Sequence, residues 1–292
     1  METGDKRRLE ANRLVTSAPL LIMKGDYSSA LDSFTSALRI GEEIHSVELQ
    51  ASCFCGLANV LVGMNRQGEA IPMARKAIEL AKGKPTPEMT NLRCRSHSFL
   101  AMSLAKLGKT SAALEEAAEA EKLCAYMHSP KEEMAHCAAL AEIYDVTGDG
   151  EKREKWLRKT IEMAKATRNV LVESSETFML GKLLFENGVK GKPNREVEDL
   201  FRRSIAMLLE LPHEAAAAQA RVFLGHYYKS IGKRRLARKH LDTALRAFRR
   251  VKPDACGVLE EELAEINSGS GRSYWKGIFE SVASVARLMG WW

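Results

Sequence analysis

Six turn residues, Gly25, Asn65, Gly108, Gly148, Gly188 and Gly232, stand 40, 43, 40, 40 and 44 positions apart. Helices commonly end with a residue in the left-handed backbone region, where glycine has no Cβ to clash and asparagine is the next most tolerant type. The one non-glycine member of the set is asparagine, as that reason requires. Around each turn the same residue types recur. Seven positions before it sits a small residue: Ala18, Ala58, Ala101, Ala141, Gly181 and Gly225. Four before it come Leu21, Leu61, Leu104, Tyr144, Leu184 and Tyr228; five after it come Ala30, Ala70, Ala113 and Ala237, with Arg153 as an exception. In the fifth unit the stretch Lys190 to Asn194 delays the second helix, and Val197 and Phe201 take the equivalent places. Small residues let the two helices of a hairpin approach closely, while Leu and Tyr fill the gaps between neighbours. A single hairpin cannot bury its own apolar face, so such units must stack.

The composition agrees. Of the 292 residues, 45% are hydrophobic but only 7% aromatic, and the common types are helix formers. An all-α chain follows: about six helical hairpins over residues 1–252, a capping helix over 253–267, a Ser-Gly linker over 268–272 and an amphipathic helix over 273–292. In that last segment Trp275, Ile278, Phe279, Val282 and Met289 share one helical stripe, and Trp291 and Trp292 end it. Such a helix can cap the array, occupy a groove or lie in a membrane interface.

The best-kept segments are Phe34 with Ala30 and Ala37 after Gly25-Asp26-Tyr27, and the run Phe223 to Tyr228 before Gly232. With the spacing above they resemble the tetratricopeptide repeat (TPR) family over residues 11 to about 250. A period near 40 is similar to the long-repeat arrays of kinesin light chains and Pins-type polarity scaffolds. The Trp often found early in the family's first helix and the Pro that often closes each unit are missing. The resemblance implies a right-handed α-solenoid whose first helices line a concave groove that holds a peptide or helix of a partner protein. Carried onto this chain, that groove contains Asn59, Arg95, Met102, Glu142, Phe178, Lys182, Phe185, His226 and Lys229. Chaperone-binding members grip a C-terminal carboxylate with Lys, Arg and Asn. The matching places here hold Val15, Pro19, Gly56, Arg95 and Phe99, a single cation, which argues against chaperone tails.

The formal net charge of +6 is modest, but residues 190–252 hold 16 Lys/Arg against 6 Asp/Glu. Within that stretch Arg234, Arg235, Arg238, Lys239, Arg249 and Arg250 form a basic patch. A solvated helix face is the simplest account of it. Anionic lipid, reached together with the C-terminal helix, is the alternative to a protein partner. Nucleic acid is disfavoured because no aromatic side chains interleave the cations for stacking.

Chemistry is sparse. No phosphate-cradling glycine loop, HExxH or Gly-x-Ser-x-Gly is present. Asp145 to Gly150 has the start of a calcium loop, but position twelve is Trp156 rather than a bidentate Glu. Six scattered cysteines have no CxxC spacing, and the seven histidines show no metal spacing with them. The cysteines suit reduced core residues of a cytosolic or nuclear protein, and the expected location is cytoplasmic. The N-terminus lacks the apolar stretch of a secretory signal. The expectation is therefore a non-enzymatic adaptor with no cofactor and no metal.

Overall fold

Five of the six repeat turns close in the same way. Gly25, Asn65, Gly108, Gly148 and Gly232 have φ of 77°, 57°, 74°, 80° and 76°. After each, the next N–H donates to the carbonyl five residues back: Asp26 to Leu21, Arg66 to Leu61, Lys109 to Leu104, Asp149 to Tyr144 and Lys233 to Tyr228. That bond satisfies a carbonyl the helix end would otherwise leave bare. The computed structural model in which these turns are seen describes residues 2–83, 86–126, 129–189, 191–211, 213–251 and 256–268.

Among the described residues every element is a helix. They are α1 (Glu2–Met23), α2 (Tyr27–Glu43), α3 (Val47–Gly63), α4 (Gln67–Lys82), α5 (Pro87–Lys106), α6 (Thr110–Cys124), α7 (Pro130–Thr147), α8 (Gly150–Ala166), α9 (Val170–Asn187), α10 (Arg195–Glu210), α11 (Glu214–Ser230), α12 (Arg234–Val251) and α13 (Cys256–Ser268). None is long and apolar enough to cross a membrane. Helix starts are written locally. Asp26, Asp149, Asn169 and Asn194 accept N–H bonds from the first turns of α2, α8, α9 and α10. Thr86 and Ser129 cap α5 and α7, each followed by proline at the first helical position.

The fifth turn departs from the spacing. Gly188 has φ −71° and ψ 161°, an extended backbone. The left-handed glycine is Gly191, with φ 79°. The insertion moves the reversal three residues on, and Tyr227 anchors it: its hydroxyl donates to the Asn194 carbonyl (2.8 Å) and accepts from the Asn194 N–H (2.9 Å). Val197 and Phe201 are buried, as their assigned places require.

The chain forms two compact units, Met1–Thr167 and Arg168 onward. In the first, α1 to α8, alanines at the repeat positions are fully buried at the hairpin seams, among them Ala18, Ala30, Ala58, Ala70, Ala101 and Ala113. Arg153, the exception, is 6% exposed and its guanidinium lies 2.7 Å from Asp145 across its own hairpin. An ion pair thus fills the place of an alanine methyl. In the second unit, Gly181 and Gly225 are the small positions. A Cβ on Gly225 would stand 2.7 Å from Leu241 Cγ.

Gly56 makes the steric rule testable. A Cβ there would come within 2.3 Å of the Phe34 ring, which is itself 4% exposed. Ala gains up to about 1 kcal/mol over Gly in a helix interior, but overpacking costs roughly 1–3 kcal/mol. Gly56→Ala therefore destabilises the first unit. Lower urea resistance in a melt would show it, and a stabilised variant would contradict the close approach.

Candidate partner-binding faces

In the first unit, α1 packs on α3, α3 on α5 and α5 on α7, while each second helix packs on the first helices that flank it. First helices therefore lie closer to one another than second helices do. A stack built so bends toward its first helices, and their free faces become its inner wall.

Arg95 and Glu142 are exposed on that wall. The Arg95 guanidinium carbon lies 6.0 Å from the centroid of the Phe99 ring, within reach of a cation–π contact. Beneath it is His136, whose Nε2 lies 3.1 Å from Asn91 Oδ1. Burial, with Arg95 nearby, brings His136 down to about 4, so the imidazole is neutral at pH 7. Glu142 is open to solvent, yet desolvation by surrounding protein raises its carboxyl above the ordinary value, with Asp145 adding to the rise and Lys106 opposing it. Asn59 is half-buried, and Met102, 5% exposed, supports the wall from behind.

The second unit treats its assigned residues differently. Phe178 is core: its ring lies 5.9 Å from Phe201 and 5.2 Å from Phe223. Lys182 is half-buried, with Nζ 6.0 Å over the Phe223 ring and 3.9 Å from Glu186. Phe185, edge-on to Tyr227 at 6.0 Å, lines an open cavity of about 510 Å³ with Lys192, Pro193 and Arg195. His226 and Lys229 both meet Glu262 of α13, at 2.8 Å each. Leu259 and Leu263 of α13 pack with Val222, Leu245 and Phe248. The chain's own α13 thus packs on the residues that the resemblance assigned to a partner in the sixth unit. Burial alone would raise the Glu262 carboxyl; His226 and Lys229 outweigh it and hold it below the usual carboxylate value.

The six basic-patch residues are exposed on α12. Two are engaged: Arg249 lies 2.6 Å from Glu260 of α13, and Arg250 pairs with Glu214. Ser268, assigned to the linker by composition, is the last residue of α13. Trp275, Ile278, Phe279, Val282, Met289, Trp291 and Trp292 lie outside the described residues. Sequence reasoning passed over Tyr227 and Glu262. Tyr227 had a signal, since a second Tyr beside the repeat Tyr228 needs a partner for its hydroxyl.

No family model matches the chain, and no curated protein sequence matches it. Solved structures do. The apo form of RapI is 14% identical with a TM-score of 0.63, covering 96% of this chain and 98% of its own. The Rap conjugation gene regulator of plasmid pLS20, in complex with the Phr* peptide, is 13% identical with a TM-score of 0.59, covering 99% and 78%. Nearly identical TPR-like repeats from Podosopora anserina, attributed to a kinesin light chain, are 15% identical with a TM-score of 0.52, covering 69% and 96%.

Proposed function

From a chain with the tetratricopeptide-type repeat fold, we propose a non-enzymatic adaptor that holds an extended peptide or a helix of a partner protein on the inner wall of its first unit. The observation that carries this reading is the pair Arg95 and Glu142. Both are exposed, of opposite sign, and stand on α5 and α7, first helices that pack on each other. Phe99 under Arg95 offers a ring against which an apolar side chain can pack, and the two charges orient a backbone or polar side chains. The peptide held by the similarly folded Rap regulator supports such a use of the fold.

Selection of a displayed peptide library on the full chain, followed by binding measurements with the recovered consensus, tests it. Arg95→Glu should weaken that peptide by about tenfold to a hundredfold, the range of an interface hot spot. Phe99→Ala should weaken it too. Arg249→Glu, on α12 of the second unit, should leave it unchanged. Selected peptides whose affinity ignores Arg95 and Phe99 would place binding elsewhere.

A further inference from the structure

Two of the six buried cysteines, on consecutive helices, meet at one place in the first unit. Cys124 ends α6 and Cys137 lies inside α7; they are 1% and 0% exposed. Their Sγ atoms and a carboxylate oxygen of Glu133 all lie within 4.8 Å of one another. Met163 of α8 brings its sulfur to 4.0 Å from Cys137 Sγ. We propose that Cys124, Cys137 and Glu133 form a site for a thiophilic divalent cation, zinc above all.

The donor set suits that ion. Zinc takes thiolate sulfur at about 2.3 Å and carboxylate oxygen at about 2.0–2.2 Å, so tetrahedral donors stand about 3.5–3.8 Å apart. Atoms already within 4.8 Å reach those positions by side-chain adjustment, with the helices in place. Two soft sulfurs and one oxygen exclude magnesium and calcium, which need oxygen shells. A three-residue set leaves one position for water or an external group, and the Met163 thioether lines the soft side.

Lys159 completes the electrostatics. Its Nζ lies 2.7 Å from Glu133 Oε1 and its side chain is 39% exposed. One oxygen of the carboxylate is thereby held, and the other is available to the ion. Two thiolates, a carboxylate, a divalent ion and one ammonium sum to no net charge, so the loaded site carries no uncompensated charge into a half-buried place. Glu133 and Lys159, both only part-buried, form the side open to solvent, by which an ion enters. Glu121, the other nearby acid, is committed: its Oε1 accepts from the Tyr144 hydroxyl (2.5 Å) and the Trp156 indole N–H (3.2 Å). Each thiol loses its proton when it binds, so loading releases two protons to the buffer for each ion taken up.

The test uses the full chain, reduced and stripped with a chelator. Zinc is titrated in competition with a chromophoric chelator while proton release is followed in weak buffer. Cobalt is the spectroscopic probe, because thiolate ligation gives a sulfur-to-metal charge-transfer band and tetrahedral geometry gives strong visible bands. One ion per chain and two protons per ion are expected. Cys124→Ser and Cys137→Ser should each weaken zinc by about a hundredfold or more and abolish the charge-transfer band, while Cys53→Ser retains both. Lys159→Met should weaken zinc by about tenfold, the low end for an outer-shell partner, with the apo protein's melting unchanged. Failure of the reduced protein to take up metal overturns the proposal. So does a charge-transfer band that survives in the Cys124→Ser/Cys137→Ser variant.

Discussion

Replacing Glu262 by alanine should lower the stability of the second unit by about 3–5 kcal/mol, the cost of removing one partner from a buried ionic group. The carboxylate is 6% exposed and holds two side chains at once, the His226 ring and the Lys229 ammonium. Without it, the His226 ring, 5% exposed, keeps no acceptor at that nitrogen, and α13 loses its polar anchor on α11. Urea unfolding would give the size of the loss, and hydrogen exchange would locate it in α11 and α13. The double variant Glu262→Leu/His226→Leu should recover much of it, because similar apolar volume can replace a buried ion pair at little cost. The pH dependence has a definite sign. The folded carboxyl lies below its ordinary value, so the unfolded chain binds the proton first. The contribution is fully present above the unfolded value of about 4.3 and is lost as pH falls through the lower folded value. The gap between wild type and Glu262→Gln should therefore close in acid. A gap that stays constant down to full protonation would mean the carboxylate's charge does not hold α13.

Phe201→Ala should cost a comparable amount, about 3–5 kcal/mol. Its ring is fully buried, lies 6.0 Å from Phe223 and 5.9 Å from Phe178, and fills the space that Gly181 leaves open, where a Cβ would stand 3.2 Å away. The three rings come from α9, α10 and α11, so the cavity would open where three helices meet and no single side chain can collapse into it. Phe201→Leu should cost far less. Denaturant melts of both variants, with exchange of the α9 to α11 amides, would check the order. Equal losses for Leu and Ala would show that ring shape, rather than volume, holds this junction.

Local rules explain what was legible in the sequence. A left-handed turn needs glycine or asparagine, and a close helix crossing needs alanine or glycine; both demands fall on single positions at a regular interval. Five turns and their seams could therefore be placed by spacing. Gly188 misled because the insertion supplies a second glycine, Gly191, and which one turns left-handed depends on Tyr227, 36 residues further on. The candidate faces were less legible for the same kind of reason. His226 and Lys229 carry the marks of groove residues, but nothing near them in sequence tells that Glu262 will reach both. Phe178 and Met102 have the right register for the wall, yet neighbouring helices bury them. Cys124 and Cys137 are separated by a turn and belong to different helices, so their meeting is a fact of packing that no spacing motif announces.

The fully buried alanines have a consequence for how such a chain changes over time. A seam that excludes volume constrains a position by what it forbids, and Ala30, Ala58, Ala70, Ala113 and Ala237 each forbid nearly everything larger. The helix faces between them accept many residues of equal helical preference. Most substitutions therefore pass unnoticed by the fold, and a lineage can rewrite its surface, and with it its choice of partner, while the backbone stays where it was. Structures that share under a fifth of their residues with this chain have the same fold along most of its length.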